Sequence, residues 1–151
     1  ITQDSENTVL VEAGAGVSLG ALISHCLDNA IIGLEAFINW DVPVILCEGI
    51  FDAIAIRRNA IPLFGKTIPK ALMLKLVESN VKTVYIALDK DAIKQALSFC
   101  EELLNEGKEV YLVDMDDKDP SEMGFEKFTH LIQNTLPLTF SNLLEKKLQI
   151  S

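Results

Sequence analysis

Acidic residues stand where two apolar runs of this sequence end. Glu48 follows the run 42–47, and Asp89 and Asp91 follow the run 82–88. Three carboxylates held within a few Å repel one another, so keeping them ionised at neutral pH requires compensating positive charge. No cluster of Lys or Arg lies at these run ends. Carboxylate oxygens favour Mg²⁺ or Mn²⁺ over zinc, so the sequence predicts a divalent-cation site if the fold joins the two ends.

Each acid also has a simpler interpretation when it is taken alone. Glu48 could bond the N–H groups of a following helix, Asp91 could be a helix N-cap, and Asp52 could favour the dipole of a first helical turn. Asp114 and the acids after it could form a solvated loop. The cation site is favoured because several acids follow strands whose ends a parallel sheet would make adjacent.

The elements that must position these acids alternate between strand and helix. Short β-branched runs predict strands, and longer runs with apolar residues three and four apart predict helices. Such alternation is typical of a mostly parallel sheet whose chemistry gathers at the carboxyl ends of its strands. We therefore predict an α/β fold with about four strands and helices on both faces. The predicted strands are 42–47, 61–64, 82–88 and 109–113, and the predicted helices are 51–59, 71–78, 91–105 and 121–133.

Three local details refine this prediction. Helical spacing puts Phe51, Ile54, Ala55 and Arg58 near one face of the first helix. Asp119-Pro120 is a natural helix start, with Asp as N-cap and Pro in the first position. Within the first forty residues, 8–12 could be a strand, and 19–27 and 30–40 could be helices.

Composition limits the function classes. The chain has 151 residues and a net charge of −9, and residues 1–47 contain six acids but no Lys or Arg. Such an acidic chain does not bind phosphate backbones through a broad basic field, so cations or other domains must supply positive charge. Its apolar runs are too short to span a bilayer. The three Cys residues form no zinc pattern and predict buried free thiols in a reducing cytoplasm.

These motifs resemble the Toprim domain, the metal-binding module of bacterial-type primases, topoisomerases, OLD-family nucleases and RecR proteins. The family has an apolar strand ending in Glu-Gly, here Glu48-Gly49, an Asp one turn later, here Asp52, and a later Asp-x-Asp, here Asp89-Lys90-Asp91. Two further stretches, 59–69 and 110–124, resemble primase segments. The resemblance covers about residues 42–133. The short length of the chain and its divergence from the family pattern resemble a bacteriophage primase more than a bacterial one.

The resemblance implies RNA primer synthesis on single-stranded DNA by metal-dependent nucleotidyl transfer. It implies Mg²⁺ or Mn²⁺ as cofactor, single-stranded DNA template and ribonucleotides as substrates, and a replicative helicase as partner. It also implies a cytoplasmic location, which is the host cytoplasm for a phage protein, with no membrane association. Lys66 could touch a phosphate, although a surface loop Lys is the simpler interpretation. The implied catalytic residues are Glu48, Asp89 and Asp91, and the implied metal ligands are these three with Asp52 and Asp119.

The domain prediction and the alternatives follow from the same resemblance. We expect a fragment of a longer protein, with an extension or part of a neighbouring primase subdomain at 1–41, a Toprim domain at 42–133 and a helical tail at 134–151. An OLD-type nuclease and a non-catalytic RecR-like scaffold are the alternatives. A topoisomerase needs a catalytic Tyr. Tyr85 and Tyr111 lie in predicted strands, so they are poor candidates for that role.

Overall fold

The computed structural model describes residues 2–3, 9–10, 38–115 and 118–151. The chain divides into two compact units, residues 1–37 and 38–151. In the first unit, β1 (Thr2–Gln3) pairs antiparallel with β2 (Val9–Leu10), which lies within the strand predicted over 8–12. The helix predicted over 19–27, nearly all of that over 30–40, and Cys26 lie outside the described residues.

The second unit is built on a parallel sheet of four strands, which are β3 (Val44–Cys47), β4 (Ala60–Pro62), β5 (Thr83–Ala87) and β6 (Glu109–Leu112). Their order in the sheet is β4-β3-β5-β6. This confirms the predicted α/β class and its Toprim-like architecture. The helices are α1 (Ile50–Ile56), α2 (Lys70–Glu78), α3 (Ile93–Asn105), α4 (Pro120–Met123), α5 (Phe125–Asn134) and α6 (Phe140–Gln149).

Helices cover both faces of this sheet, which explains why its central strand is apolar at every position. Side chains alternate across a strand, so Val44 and Leu46 enter one core, with residues of α2, α3 and α6. Ile45 and Cys47 enter a second core, with residues of α1 and α5. A strand buried on both sides reads as a continuous apolar run rather than an alternating one.

The order of the strands creates a crevice between β3 and β5. The chain leaves β3 for β4 on one side, and then returns past β3 to form β5 and β6 on the other side. In open parallel sheets, ligands bind outside the carboxyl ends of the strands at such a reversal. Cys47 pairs with Ala87, so the residues that follow β3 and β5 emerge side by side.

The side of α1 that faces the core differs from the side that the helical spacing of its apolar residues predicted. Phe51 and Ile54 are 68% and 61% exposed, whereas Asp52 and Ile56 are buried. Ile56 packs in the second core and Asp52 accepts the N–H of Ser121, so this side of the helix faces inward. The helix also ends at Ile56, earlier than predicted, because Arg57 takes a left-handed conformation with φ of 51°.

The single helix predicted over 121–133 is two helices. Asp119 is the N-cap of α4 and Pro120 is its first residue, which confirms the predicted start. Gly124 has φ of 81° and separates α4 from α5. A positive φ interrupts the helical hydrogen-bond ladder, so one glycine divides an otherwise continuous pattern.

The last segment packs onto the sheet unit. Leu138 and Leu143 are buried in the same core as Val44, and the N–H of Leu138 donates to the carbonyl oxygen of Val110 at 2.7 Å. That bond partners part of the outer edge of β6. Among the described residues, no helix is long and apolar enough to cross a membrane.

Candidate metal centre

Three carboxylates meet at the crevice between β3 and β5. Glu48, Asp89 and Asp91 each offer one oxygen, and these oxygens all lie within 4.8 Å of one another. Glu48 leaves the end of β3 just before α1 begins. Asp89 is the N-cap of a 3₁₀ turn, Lys90–Ala92, and its carbonyl oxygen accepts the N–H of Ala92 at 2.9 Å. This turn folds the Asp-x-Asp motif back on itself, so both acids face Glu48.

One oxygen of the cluster has no partner in the part of the chain that the structure describes. Oε2 of Glu48 is buried and has no hydrogen-bond partner among the residues that the structure describes. Burial raises the pKa of Glu48, and the charges of Asp89 and Asp91 raise it further. Burial likewise raises the pKa of Asp89, with added contributions from Asp119 and Asp91. An unpartnered carboxylate oxygen beside two like charges is a site that a cation would stabilise.

One basic side chain reaches the cluster from a loop rather than from a strand end. Lys66 donates from its Nζ to Oδ2 of Asp91, and this bond raises the pKa of Lys66. The two side chains are 40% and 66% exposed. The sequence predicts either a phosphate contact or a surface loop position for Lys66, and neither prediction includes this pairing with Asp91. The Phe64-Gly65 turn that directs it could not be connected to Asp91 without the strand order.

Asp52 has a different environment from the three clustered acids. It is 7% exposed, its Oδ2 accepts the N–H of Gly49 at 2.9 Å, and its Oδ1 accepts the N–H of Ser121 at 3.3 Å. It therefore connects the start of α1 to the start of α4. A Cβ on Gly49 would lie 3.2 Å from Oδ2 of Asp52, so the glycine allows this close approach.

Asp119 is a hydrogen-bonded cap. Its Oδ1 accepts from the hydroxyl of Ser121 at 2.7 Å and from the N–H of Glu122 at 2.8 Å. The hydrogen bond from Ser121 lowers the pKa of Asp119. Asp52 and Asp119 lie outside the group of three, although the charge of Asp119 raises the pKa of Asp89. Direct metal ligation by these two residues stays a prediction.

The donor set fits a hard divalent cation. It consists of carboxylate oxygens, which suit Mg²⁺ or Mn²⁺. Cys47 lies next to Glu48 in sequence, but its thiol is fully buried, and burial raises its pKa far above the usual range. Its Sγ contacts the carbonyl oxygens of Gly49 and Ile61 at 3.6 and 3.7 Å, so it packs as a neutral thiol.

Comparisons with known proteins identify a related fold. No family model matches the chain, and no curated protein matches it by sequence. Among solved structures, it is similar to the crystal structure of the Aquifex aeolicus primase, which contains zinc-binding and RNA polymerase domains. The two are 30% identical with a TM-score of 0.55, over 64% of this chain and 26% of the chain in that crystal structure. The chain thus has a primase-like fold and spans about a quarter of the crystallised primase chain.

Proposed function

We propose that this chain is the Toprim part of a DNA primase and that Glu48, Asp89 and Asp91 form its catalytic metal site. The observation that carries the proposal is the meeting of these three carboxylates at the reversal of the strand order. The similarity to a solved primase supports the same reaction class, a nucleotidyl transfer. On this proposal the Toprim domain corresponds to residues 42–133, between the N-terminal extension and the C-terminal helix.

The chemistry follows from the charge of the reacting groups. In primer synthesis a 3′-hydroxyl attacks an α-phosphate and pyrophosphate leaves, so negative charge grows on phosphate and leaving oxygens. Glu48, Asp89 and Asp91 would hold a divalent cation, which would supply positive charge at those oxygens. Glu48 acts as a ligand or as the base that takes the hydroxyl proton. Asp52 fixes Gly49 and hence the position of Glu48, and Lys66 contacts a phosphate.

The acidity of the chain indicates how it would meet its substrates. With a net charge of −9, it needs cations and basic surfaces elsewhere in the polypeptide to hold a DNA template. On this proposal, single-stranded DNA and ribonucleotides are its substrates and a replicative helicase is its partner. The reaction would take place in the cytoplasm, or in that of the host if a phage encodes the protein.

The proposal is tested by ribonucleotide incorporation on a single-stranded DNA template with Mg²⁺ or Mn²⁺, using the complete polypeptide that contains this chain. We expect Asp89→Ala to reduce primer synthesis at least about 100-fold. Asp114→Asn is the matched control, because Asp114 follows β6 at the same sheet edge but lies outside the cluster. Full primer synthesis by Asp89→Ala would overturn the proposal. Metal-dependent nicking without primer synthesis would favour the OLD-type nuclease.

A further inference from the structure

Lys66 reaches the acidic cluster from the far side of the central strand. It lies in the loop after β4, whereas its partner Asp91 follows β5, and β3 runs between those two strands. Neighbouring strands are about 4.8 Å apart, so the Lys66 side chain spans the end of β3 to reach Asp91. Glu48 emerges at that strand end, and its charge and that of Asp89 act on Lys66 together with Asp91.

The backbone of the loop is arranged to hold Lys66 in this position. Before the loop, the N–H of Leu63 donates to the carbonyl oxygen of Cys47 at 2.8 Å, and after it Ile68 is buried in the core. Between these anchors, Phe64 has φ of 55° and Gly65 has φ of 155°, both with positive φ. Non-glycine residues rarely adopt such a conformation, so the turn at Phe64 is maintained by its surroundings.

The ion pair itself is weak enough to be exchanged. The Lys66 and Asp91 side chains are 40% and 66% exposed, and solvated pairs of this kind contribute little to stability. The Lys66 ammonium group supplies a single positive charge and pairs with one carboxylate oxygen, Oδ2 of Asp91. A divalent cation supplies two and can contact several carboxylate oxygens at once.

We propose that Lys66 is a resident counter-ion of the acidic cluster, which a divalent cation must displace from Asp91 when it binds. This inference rests on the metal site of the proposed function and adds that the chain contains its own competitor for that site. Lys66 then lowers the affinity for the cation, because both occupy the same negative field.

The test is the affinity of the 151-residue chain for Mn²⁺ alone, measured by calorimetry and by the electron paramagnetic resonance signal of free Mn²⁺. We expect Lys66→Gln to bind Mn²⁺ about three- to tenfold more tightly than the original chain at low salt. The difference should shrink in about 0.5 M KCl, because salt screens exposed charges. Lys66→Arg keeps the charge and should bind as the original chain does.

Lys70→Gln is the matched control, because it removes an equal charge four residues further along, at the exposed start of α2. It should change the affinity less than twofold. Equal or weaker Mn²⁺ binding by Lys66→Gln, with the original chain still binding, would overturn the counter-ion role and leave the metal site intact. Absence of binding in every variant and in the original chain would overturn both the metal site and the inference.

Discussion

Two groups of carboxylates occupy the same edge of this sheet, and they differ in what satisfies them. In the cluster, Oε2 of Glu48 has no partner among the described residues, and the pKa values of Glu48 and Asp89 are raised. Asp52 and Asp119 accept hydrogen bonds from backbone N–H groups at the starts of α1 and α4, although burial raises the pKa of Asp52 as well. Carboxylates therefore have two roles at this edge. Asp52 and Asp119 stabilise the fold through hydrogen bonds, whereas the cluster forms a negatively charged site that a cation could bind.

This difference has an energetic consequence. Carboxylates bonded to backbone amides stabilise the folded chain whether or not a cation is present. Carboxylates that face one another cost stability until a cation binds, and the binding then returns stability by mass action. Substitutions in the cluster should therefore weaken cation binding without lowering cation-free stability, whereas substitutions of Asp52 or Asp119 should mainly lower stability.

The largest expected effect is on cation binding, from Asp89→Asn. Losing one of three ligands should weaken Mn²⁺ binding by about 100-fold, the upper end of the range for losing a partner of a metal site, and calorimetry measures this change. Without a cation the melting temperature should stay the same or rise, because one repelling charge is gone. Asp114→Asn should change neither quantity. If Asp89→Asn markedly lowers stability without a cation, Asp89 stabilises the fold as Asp52 and Asp119 do, which would contradict its place in the cluster.

Asp52→Ala should give the largest loss of stability. The substitution removes two hydrogen bonds at a buried position and leaves the N–H groups of Gly49 and Ser121 without their acceptor. We expect the free energy of unfolding in urea to fall by about 2–4 kcal/mol, with and without Mn²⁺. Loss of Mn²⁺ binding with unchanged stability would contradict the positioning role and place Asp52 among the ligands.

Asp119→Ala should have a smaller effect of the same kind. It removes the N-cap of α4, a loss that costs about 1 kcal/mol. Urea unfolding measures this change, and Glu126→Ala in the first turn of α5 is a nearby control that alters no cap. A loss of Mn²⁺ affinity as large as that of Asp89→Asn would show that Asp119 ligates the cation.

The smallest expected effect is on the pH dependence of stability, which should have opposite signs in the two groups. The melting temperature measured without cations reports it. The pKa values of Glu48 and Asp89 are raised by folding, so their contribution to stability is lost as pH rises above the ordinary carboxyl range. The pKa of Asp119 is lowered, so its contribution is present above that range and is lost as pH falls.

The matched variants separate these two trends. Glu48→Gln with Asp89→Asn should gain stability relative to the original chain more at pH 7 than at pH 4. Asp119→Asn should lose stability at pH 7 and little in acid. The same sign for both variants would contradict the division into two groups.

Much of this fold could be predicted because its signals are local. The run at β3 is apolar throughout, and Asp119-Pro120 marks a helix start by its own chemistry. The inward side of α1 could not be predicted from local spacing, because Ile56 packs in a core shared with distant elements and Asp52 accepts the N–H of Ser121, 69 residues further along. The break at Gly124 could not be predicted, since glycine is compatible with both a continuous and an interrupted helix.

The same limit applies to the candidate site. The Glu-Gly and Asp-x-Asp motifs predicted which acids would meet, since parallel strands place their carboxyl ends at one edge. The approach of Lys66 depends on the order β4-β3-β5, which no local pattern specifies. Motif residues could thus be identified from the sequence, whereas their counter-charge could not.

The most direct test of the central claim is to locate Mn²⁺ by anomalous X-ray scattering in crystals of this chain. We expect the ion to lie among the carboxylate oxygens of Glu48, Asp89 and Asp91, with Lys66 moved away from Asp91. Mn²⁺ bound only elsewhere, or absent from this cluster at saturating concentration, would contradict the account.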